Sequence, residues 1–302
     1  MILNKLKKAC CDKSYRFSVL STLGFYKHMS DEKYLKKAYR VYMGKPLNLD
    51  NPKTFNEKLQ WLKLHNRKPE MTTMVDKFAV KEYIAEKIGE EYVIPTLGVW
   101  DRFEDIDFES LPEQFVLKCT HDSGGLVICR DKNKLDKSTA KKKIEKSLKR
   151  NYYCNTKEWP YKNVKPRIIA EKFIEDETGG LVDYKFFCFD GVVDSVMICL
   201  DRHIGDPKFY FFDEDWNLKR LNIRGKEAPA DFTVRKPDCI DEMFAIAKRL
   251  SVGHPFIRVD LYECSGKIYF GELTFYPDSG FDSNLLSETD VYFGKLLKLN
   301  KK

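Results

Sequence analysis

The stretch PFIRVDLYECSGKIYFGELTFYPDSGF occupies residues 255–281. It contains two apolar segments, Phe256–Leu261 and Lys267–Leu273, separated by the turn residues Ser265-Gly266. β-Branched and aromatic residues around a short glycine-containing turn are typical of an antiparallel hairpin. We therefore predict two paired strands here, and the interpretation of the rest of the chain is built on them.

Charged residues interrupt this apolar hairpin. Because side chains alternate between the two faces of a strand, Arg258 and Asp260 share one face, and Glu272 and Thr274 share one face of the partner strand. If these faces coincide, a cation and two carboxylates lie together, and buried charges need partners or metals. Carboxylates also hold Mg2+ that bridges substrate phosphates. The alternative is a pair of solvent-facing acids balanced by Arg258 and Lys267.

Composition indicates a well-packed protein of 302 residues, 43% hydrophobic and 14% aromatic, in one large domain or two to three small ones. The net charge of +7 suits anionic substrates such as nucleotides, and no DNA- or RNA-binding signature is present, so we expect no nucleic-acid partner. Nine cysteines without C-x-x-C spacing indicate a reducing compartment rather than a disulfide framework. The five histidines are not grouped with cysteines, which argues against structural zinc.

No apolar run is long enough to span a bilayer, so we expect a cytoplasmic protein. The first residues place Ile2, Leu6 and Cys10 on one helical face among several lysines. Such a basic amphipathic helix would lie on the inner face of an anionic membrane as a peripheral contact. An ordinary surface helix is the alternative interpretation.

A glycine-containing loop, Cys119–Gly125 (CTHDSGG), lies between the predicted strands Phe115–Lys118 and Leu126–Cys129. Its backbone amides, with His121 and Ser123, could close over phosphates. It is neither a Walker A loop nor a Rossmann fingerprint, and an ordinary hairpin turn has the same pattern. Further charged residues in apolar strands are Glu171 and Lys185.

Helical patterns occur at Asp31–Met43, at Thr54–His65 with a capping box, and at Asp76–Gly89, where Lys77 falls in the first turn and makes it a candidate anion site. Several further hairpins and helices alternate along the chain. The fold class predicted from this order is α/β (α+β), with antiparallel-rich sheets covered by helices. One remaining motif, Asp213-Glu214-Asp215, has the D-x-D form of metal-dependent glycosyltransferases, but it equally fits a solvated turn.

Six segments together resemble the TupA-like (teichuronopeptide biosynthesis) ATP-grasp family. They are KTFNEKLQWLK, VDKFAVKEYI, FVLKCTHDSGG, IIAEKFIED, DYKFFCFDG and RVDLY…GKIYFGELTFYPDSGF. The resemblance implies an ATP-grasp fold, in which a small lid subdomain closes over a nucleotide cleft. It also implies a division into an N-terminal helical segment (1–70), the start of the ATP-grasp region (71–114), the lid with its phosphate loop (115–174), and a metal- and acceptor-binding part (175–302).

The resemblance also implies roles for individual residues. Two lysines would hold the phosphates of ATP, and the 121–125 loop would close over them. A hinge formed by Glu171 and the backbone of 172–174 would grip the adenine, and either Glu175 or Glu177 would contact the ribose. Arg258 would contact the γ-phosphate or the acyl phosphate. The candidates for the acceptor site are Lys185, Arg258 and the loop Tyr276-Pro277-Asp278-Ser279-Gly280. The implied nucleotide contacts are Lys77, Lys118, His121, Ser123, Gly124, Gly125, Glu171, Lys172 and Ile174. The implied Mg2+ ligands are Asp260, Glu272 and Thr274, where Thr274 stands in place of the family's more usual asparagine.

The function expected from this resemblance is an ATP-dependent carboxylate–amine ligase of surface polysaccharide biosynthesis. It would phosphorylate the carboxylate of a uronic acid or an amino acid and then form an amide. Two alternatives remain from the residues themselves. One is a metal-dependent glycosyltransferase that uses the D-x-D triplet, and the other is a non-catalytic ATP-binding protein.

Overall fold

The computed structural model describes residues 11–175, 181–201 and 205–299. The predicted amphipathic face of Ile2, Leu6 and Cys10 lies outside these ranges. Within them, no helix combines the length and the apolar character needed to cross a bilayer.

Ten α-helices are found in the described residues. They are α1 (Lys13–Thr22), α2 (Asp31–Met43), α3 (Phe55–His65), α4 (Glu70–Val75), α5 (Val80–Ile88), α6 (Lys137–Leu148), α7 (Tyr152–Thr156), α8 (Ile223–Glu227), α9 (Ile240–Ser251) and α10 (Ser287–Leu296). The predicted capping box at α3 is confirmed, because the Thr54 hydroxyl accepts from the Glu57 amide while the Glu57 carboxylate accepts from the Thr54 amide.

In the part of the chain that the structure describes, ten strands form two sheets. The strands are β1 (Thr96–Trp100), β2 (Phe115–Cys119), β3 (Leu126–Cys129), β4 (Ile168–Lys172), β5 (Val182–Phe189), β6 (Val192–Leu200), β7 (Lys208–Phe212), β8 (Leu218–Lys219), β9 (Ile257–Cys264) and β10 (Lys267–Thr274). Every described pairing between them is antiparallel. This confirms the predicted class of antiparallel-rich sheets with helices.

The smaller sheet has the strand order β1-β4-β2-β3. Alternate residues of β2 point inward and pack, with those of β4, against α6. Strand β1 belongs to the segment 71–114, which the sequence analysis separates from the lid at 115–174. In the structure β1 pairs with β4, so the smaller sheet contains strands from both segments.

The larger sheet has the order β10-β9-β5-β6-β7-β8, which places the hairpin β9–β10 at one edge. Its core is rich in phenylalanine and is covered by α9, whose Met243, Phe244, Ala247 and Leu250 are buried. Asp183 and Lys185 of β5 and Arg258 and Asp260 of β9 occupy the other face, because neighbouring residues of a strand point to opposite faces. That face is where the candidate site lies.

Candidate active site

The register of the hairpin β9–β10 depends on an irregularity at Gly271. From the turn, residues pair regularly as far as Phe270 with Leu261; then Gly271 is skipped, and Glu272 pairs with Asp260. A bulge inserts one unpaired residue into a strand and re-aims the side chains that follow it. Here it brings Glu272 onto the same face as Asp260, which confirms that the two charged faces of the hairpin coincide.

Arg258 links all three predicted metal ligands. Its guanidinium donates two hydrogen bonds to Asp260, from Nε to Oδ1 (2.6 Å) and from Nη2 to Oδ2 (2.7 Å). The same Nη2 lies 3.1 Å from Glu272 Oε1 and 3.1 Å from Thr274 Oγ1. A bidentate contact of this kind fixes the orientation of the carboxylate as well as its charge.

A second cation reaches Asp260 from the neighbouring strand β5. Lys185 pairs with Asp260 in the strand register, and its Nζ lies 2.5 Å from Asp260 Oδ2 and 3.5 Å from Asp183 Oδ2. Asp260 is only 1% exposed. The alternative of two solvent-facing acids balanced by Arg258 and Lys267 is therefore wrong for Asp260, because the strand β5 covers that side of the hairpin.

Burial and charge act in opposite directions on these groups. Burial by itself would raise the pKa of Asp260, but the positive charges of Arg258 and Lys185 hold it below its ordinary value. Burial likewise opposes the charge of Arg258, and Asp260 and Glu272 raise its pKa above the ordinary value. Asp260 and Arg258 are therefore both charged at neutral pH.

A second charged cluster lies on the smaller sheet. Glu171 of β4 receives two lysines: Lys81 of α5 lies 2.6 Å from its Oε1, and Lys118 of β2 lies 2.5 Å from its Oε2. Burial opposes ionisation of Glu171, but the two lysines lower its pKa. One carboxylate thus holds two ammonium groups side by side. A polyphosphate could replace Glu171 as the partner of both lysines.

Lys77 completes this group from a turn that is anchored to the end of β2. Its amide donates to the Thr120 carbonyl (3.0 Å), and its Nζ donates to the Asp122 carbonyl. Burial lowers the pKa of Lys77, while the charges of Glu272 and Asp122 oppose this change. The predicted first helical turn at Lys77 is wrong, because α5 begins at Val80.

The Asp76 side chain fixes this turn. Its Oδ1 accepts hydrogen bonds from the amides of Phe78 (2.9 Å) and Ala79 (3.3 Å), and its Oδ2 lies 2.7 Å from Arg167. The contacts to the two amides are those of a helix N-cap, and the Asp76 carbonyl accepts from the Val80 amide (2.9 Å), so residues 77–79 form a turn that leads directly into α5. The turn holds Lys77 against the end of β2.

The two clusters border one cleft of about 240 Å3. The predicted site residues that line it are Lys77, Lys118, Ser123, Gly125, Glu171, Lys185 and Glu272. Asp260 and Arg258 lie directly beneath its floor, bonded to Lys185 and Glu272. The apolar lining includes Val80, Val93, Ile94, Leu126, Tyr262 and Phe270. Such a cleft can hold a nucleotide, with apolar residues for a base and lysines for phosphates.

His121 does not face the cleft. It is 2% exposed, and its Nε2 lies 3.2 Å from the Ser147 carbonyl and 3.1 Å from the Arg150 carbonyl, both at the end of α6. Carbonyl oxygens only accept, so the imidazole donates here and ties the loop to α6. Gly124 does not line the cleft either, although its φ of +119° requires glycine. Of the four predicted loop residues, Ser123 and Gly125 line the cleft.

The predicted adenine hinge follows β4. The Lys172 amide donates to the Pro95 carbonyl (3.0 Å), and the Lys172 side chain is exposed. Ile174 is half-buried and lies outside the cleft lining. Beyond it, the Glu175 carboxylate pairs with Arg130. The hinge contacts of Lys172 and Ile174 remain predictions, and so does a ribose contact by Glu175; its alternative, Glu177, lies outside the described residues.

The predicted Mg2+ ligands present suitable donors. Two carboxylates and a hydroxyl are the hard oxygen ligands that Mg2+ prefers, with substrate phosphates completing its shell. Among the described residues, no three or more His, Cys, Asp or Glu side chains are grouped as a metal site. The Glu272 side chain is 46% exposed, whereas Asp260 is engaged by Arg258 and Lys185. A cation at Asp260 would compete with these two groups for the same oxygens.

Sequence reasoning missed Lys81, Asp122 and Asp183, all of which line the cleft. The sequence does contain a pattern that could have identified Lys81 as a site residue. Lys81 follows Lys77 by four residues in DKFAVKEYI, a spacing that puts two side chains near each other on a helical face. Asp122 had no such pattern, because its position depends on its contact with Ser147 of α6.

The antiparallel sheets and the lysine-lined cleft fit a protein of the ATP-grasp class. A family model described as TupA-like ATP-grasp matches residues 57–298, which is most of the chain. The chain therefore belongs to the TupA-like ATP-grasp family, and the family predicted from the sequence is confirmed. Comparison with the curated proteins finds no match.

Among solved structures, the chain is similar to D-alanine–D-alanine ligase from Bacillus anthracis complexed with ATP, at 17% identity and a TM-score of 0.43. That match covers 74% of this chain and 61% of the ligase. N5-carboxyaminoimidazole synthetase from Staphylococcus aureus matches at 16% identity and a TM-score of 0.45, over 89% of this chain and 65% of the synthetase. At these identities and TM-scores, the similarities assign neither an activity nor a substrate to this chain.

Proposed function

We propose that this chain is an ATP-dependent carboxylate–amine ligase of surface polysaccharide biosynthesis. ATP phosphorylates the carboxylate of a uronic acid or an amino acid, and an amine then attacks the acyl phosphate to give an amide and inorganic phosphate. The observation that carries the proposal is the pairing of Lys81 and Lys118 on Glu171, in the same cleft as Lys185 and Glu272. Lysines for phosphates and a carboxylate–arginine floor for the transferring group are what phosphoryl transfer needs.

The phosphates of ATP would bind where the lysines converge. Lys77, Lys81 and Lys118 offset the phosphate charge, and Glu171 holds the latter two in place while the cleft is empty. The Ser123 hydroxyl and the amide of Gly125 lie at the mouth of the same cleft. Because these groups come from α5, β2 and the 121–125 loop, closing the smaller sheet over the larger one would exclude water from the phosphates.

The transferring phosphoryl group would lie over the floor of the cleft. Arg258 is held rigidly by Asp260, so its charge stays in place as negative charge develops. Lys185 would bind the acceptor carboxylate or the acyl phosphate. When bound, Mg2+ would be held by Glu272, Asp260 and Thr274 and would neutralise phosphate charge. The acceptor would enter from the side of the 276–280 turn, which directly follows β10.

The test is ADP release by the purified protein with ATP and Mg2+. The panel pairs D-glucuronate, D-galacturonate and L-glutamate as carboxylates with glycine, L-lysine and ammonium as amines. We expect ADP release that needs both a carboxylate and an amine. ATP binding without release of ADP under any pairing would contradict the ligase and favour the non-catalytic ATP-binding alternative.

The glycosyltransferase alternative depends on the triplet 213–215, which lies in the turn between β7 and β8. Asp213 Oδ1 accepts from the Asn217 amide (2.7 Å), so this side chain closes its own turn. Three strand spacings separate β7 from β9, about 14 Å at the usual distance between strands. The triplet therefore acts as a turn in the described residues, away from the cleft.

Replacing Asp213 and Asp215 by asparagine will therefore leave ATP affinity within about twofold of wild type, because neither residue lines the cleft. Calorimetric titration with ATP and Mg2+ measures this. Loss of nucleotide binding in the double variant, with an unchanged unfolding midpoint, would instead support the glycosyltransferase.

A further inference from the structure

A buried cluster beside the proposed acceptor side brings together three distant parts of the chain. Lys63 comes from α3, Glu158 from the connection between α7 and β4, and Ser279 from the turn after β10. Lys63 is 0% and Glu158 4% exposed. Buried charged groups are costly, and the floor of the cleft does not use these two.

Ser279 is the centre of this cluster. Its hydroxyl donates to Glu158 Oε1 at 2.6 Å, and its carbonyl accepts from Lys63 Nζ at 2.8 Å and from Gln60 Nε2 at 3.0 Å. Lys63 also donates to the Thr156 carbonyl (2.8 Å). Within the described part of the chain, Lys63 Nζ and the Glu158 carboxylate form no direct ion pair. Both charges are instead coupled through the backbone and the hydroxyl of one serine.

The backbone at this serine is strained. Asp278 and Ser279 have φ values of +47° and +53°, in the left-handed region that residues other than glycine seldom adopt. Strain of this kind persists only where the surrounding contacts enforce it, and it is concentrated at functional sites. Here the contacts that enforce it are those from Lys63, Gln60 and Glu158. The consequence is that the Ser279 hydroxyl has a fixed direction.

The cluster lies close enough to the charged floor of the cleft to feel its charges. The charge of Glu272 acts on Glu158, and those of both Glu272 and Arg258 act on Tyr161. Ser279 is itself half-exposed, five residues after Thr274 at the end of β10. The titratable or charged groups that face Glu158 from the surrounding elements are Lys63, Tyr152, Tyr161, Glu272 and Tyr276.

We propose that Ser279 and Glu158 form a proton relay for the amine that attacks the acyl phosphate, with Lys63 as the positioning residue that holds Ser279. The inference rests on the ligase function proposed above and assigns a base to its second step. Glu158 suits this task because burial raises its pKa to about 7, while Lys63 opposes this shift. Burial also lowers the pKa of Lys63 to about 8.

Each step of the relay conserves atoms and charge. The nitrogen of the amine forms a C–N bond with the acyl carbon, and the C–O bond to phosphate breaks, so that inorganic phosphate leaves with the bonding electrons. The proton lost from nitrogen passes to Ser279 Oγ, and the Ser279 hydroxyl proton passes to Glu158. Glu158 later returns its proton to solvent. No metal, oxidant or further reactant is needed for this step.

Hydroxylamine distinguishes phosphorylation of the carboxylate from the later attack by the amine. It is largely unprotonated at neutral pH, so it traps the acyl phosphate without the help of a base. The experiment uses the carboxylate and amine of the panel that release most ADP. We expect Glu158→Gln to lower kcat for amide formation about 100-fold, the usual range for a general base, with KM for the amine little changed. Hydroxamate formation should stay within about threefold. The rise of the wild-type rate through about pH 7 should be absent in the variant.

Ser279→Ala is the second variant, and it removes the hydroxyl while leaving both charges and the backbone angles. It should lower kcat for amide formation about 100-fold and leave hydroxamate formation within about threefold, as for Glu158→Gln. The proposal therefore stays testable if Glu158→Gln does not fold. The exposed Glu113→Gln is the matched control and should behave as wild type.

Equal loss of hydroxamate and amide in folded variants would overturn the relay and leave the cluster a structural one. A wild-type rate of amide formation in both variants would overturn it as well. Failure of the wild type to form hydroxamate or ADP with any carboxylate removes the proposed function itself. That failure is seen in the wild type, so it is distinguishable from failure of the relay.

Discussion

Asp260→Asn destabilises the folded protein by about 3–5 kcal/mol, the usual cost of removing one partner from a buried ion pair. The size of the effect follows from what remains: Arg258 and Lys185 keep their charges in a buried place, and the carboxylate that both contact is gone. Nucleotide turnover should fall with it, because Arg258 loses the contact that orients it. Urea unfolding at neutral pH measures the change in free energy.

Glu272→Gln is the matched control, since it removes the same charge from the paired position of the neighbouring strand. The Glu272 side chain is 46% exposed and lies 3.1 Å from Arg258, so its removal should cost less than about 1 kcal/mol. Equal losses of stability in the two variants would contradict the assignment of Asp260 as the buried anchor. We expect turnover to fall strongly in both.

Lys118→Met weakens binding of a non-hydrolysable ATP analogue about 10- to 150-fold, which corresponds to the loss of one charge-assisted hydrogen bond. The physical reason is that Lys118 lies in the cleft, where Glu171 is its one partner carboxylate among the described residues, at 2.5 Å, and an ATP phosphate can take over that contact. Lys81→Met should have an effect of the same order, because it holds the other oxygen of Glu171. Calorimetry with the analogue and Mg2+ provides the affinities.

Adenosine provides the internal comparison for these lysines. Because it has no phosphates, its affinity should change little in either variant. The exposed Lys142→Met, on α6, serves as a control for the loss of one positive charge. If adenosine affinity falls as much as that of the ATP analogue, the lysines shape the cleft rather than bind phosphate, and the assignment is wrong.

The elements that were predicted well are those whose signals are local. The capping box at Thr54 and the strands of the hairpin follow from neighbouring residues alone, and the structure confirms them. The start of α5 was predicted too early, since residues 77–79 after Asp76 form a turn that is tied to Thr120 and, through Asp76, to Arg167, far along the chain. Helix ends depend on such distant partners more than helix centres do.

The residues of the candidate site likewise divide into those that the local sequence predicts and those that depend on distant contacts. Charged residues inside apolar strands stand out in the sequence, and Lys118, Glu171 and Lys185 were found for that reason. The sequence does not predict that the His121 side chain points toward α6, because this orientation depends on the carbonyls of Ser147 and Arg150. The cluster around Ser279 was equally hidden, since its members come from segments that are separated by up to 216 residues.

The sequence by itself determined that this chain carries an apolar hairpin with Arg258, Asp260 and Glu272, and that it belongs among the ATP-grasp proteins. Only the tertiary structure decided that these residues meet. Continued regularly from the turn, the pairing would set Asp260 opposite Gly271 and turn Glu272 to the other face. The bulge at Gly271 shifts the register by one residue, and because side chains alternate along a strand, that single residue joins the two acids on one face.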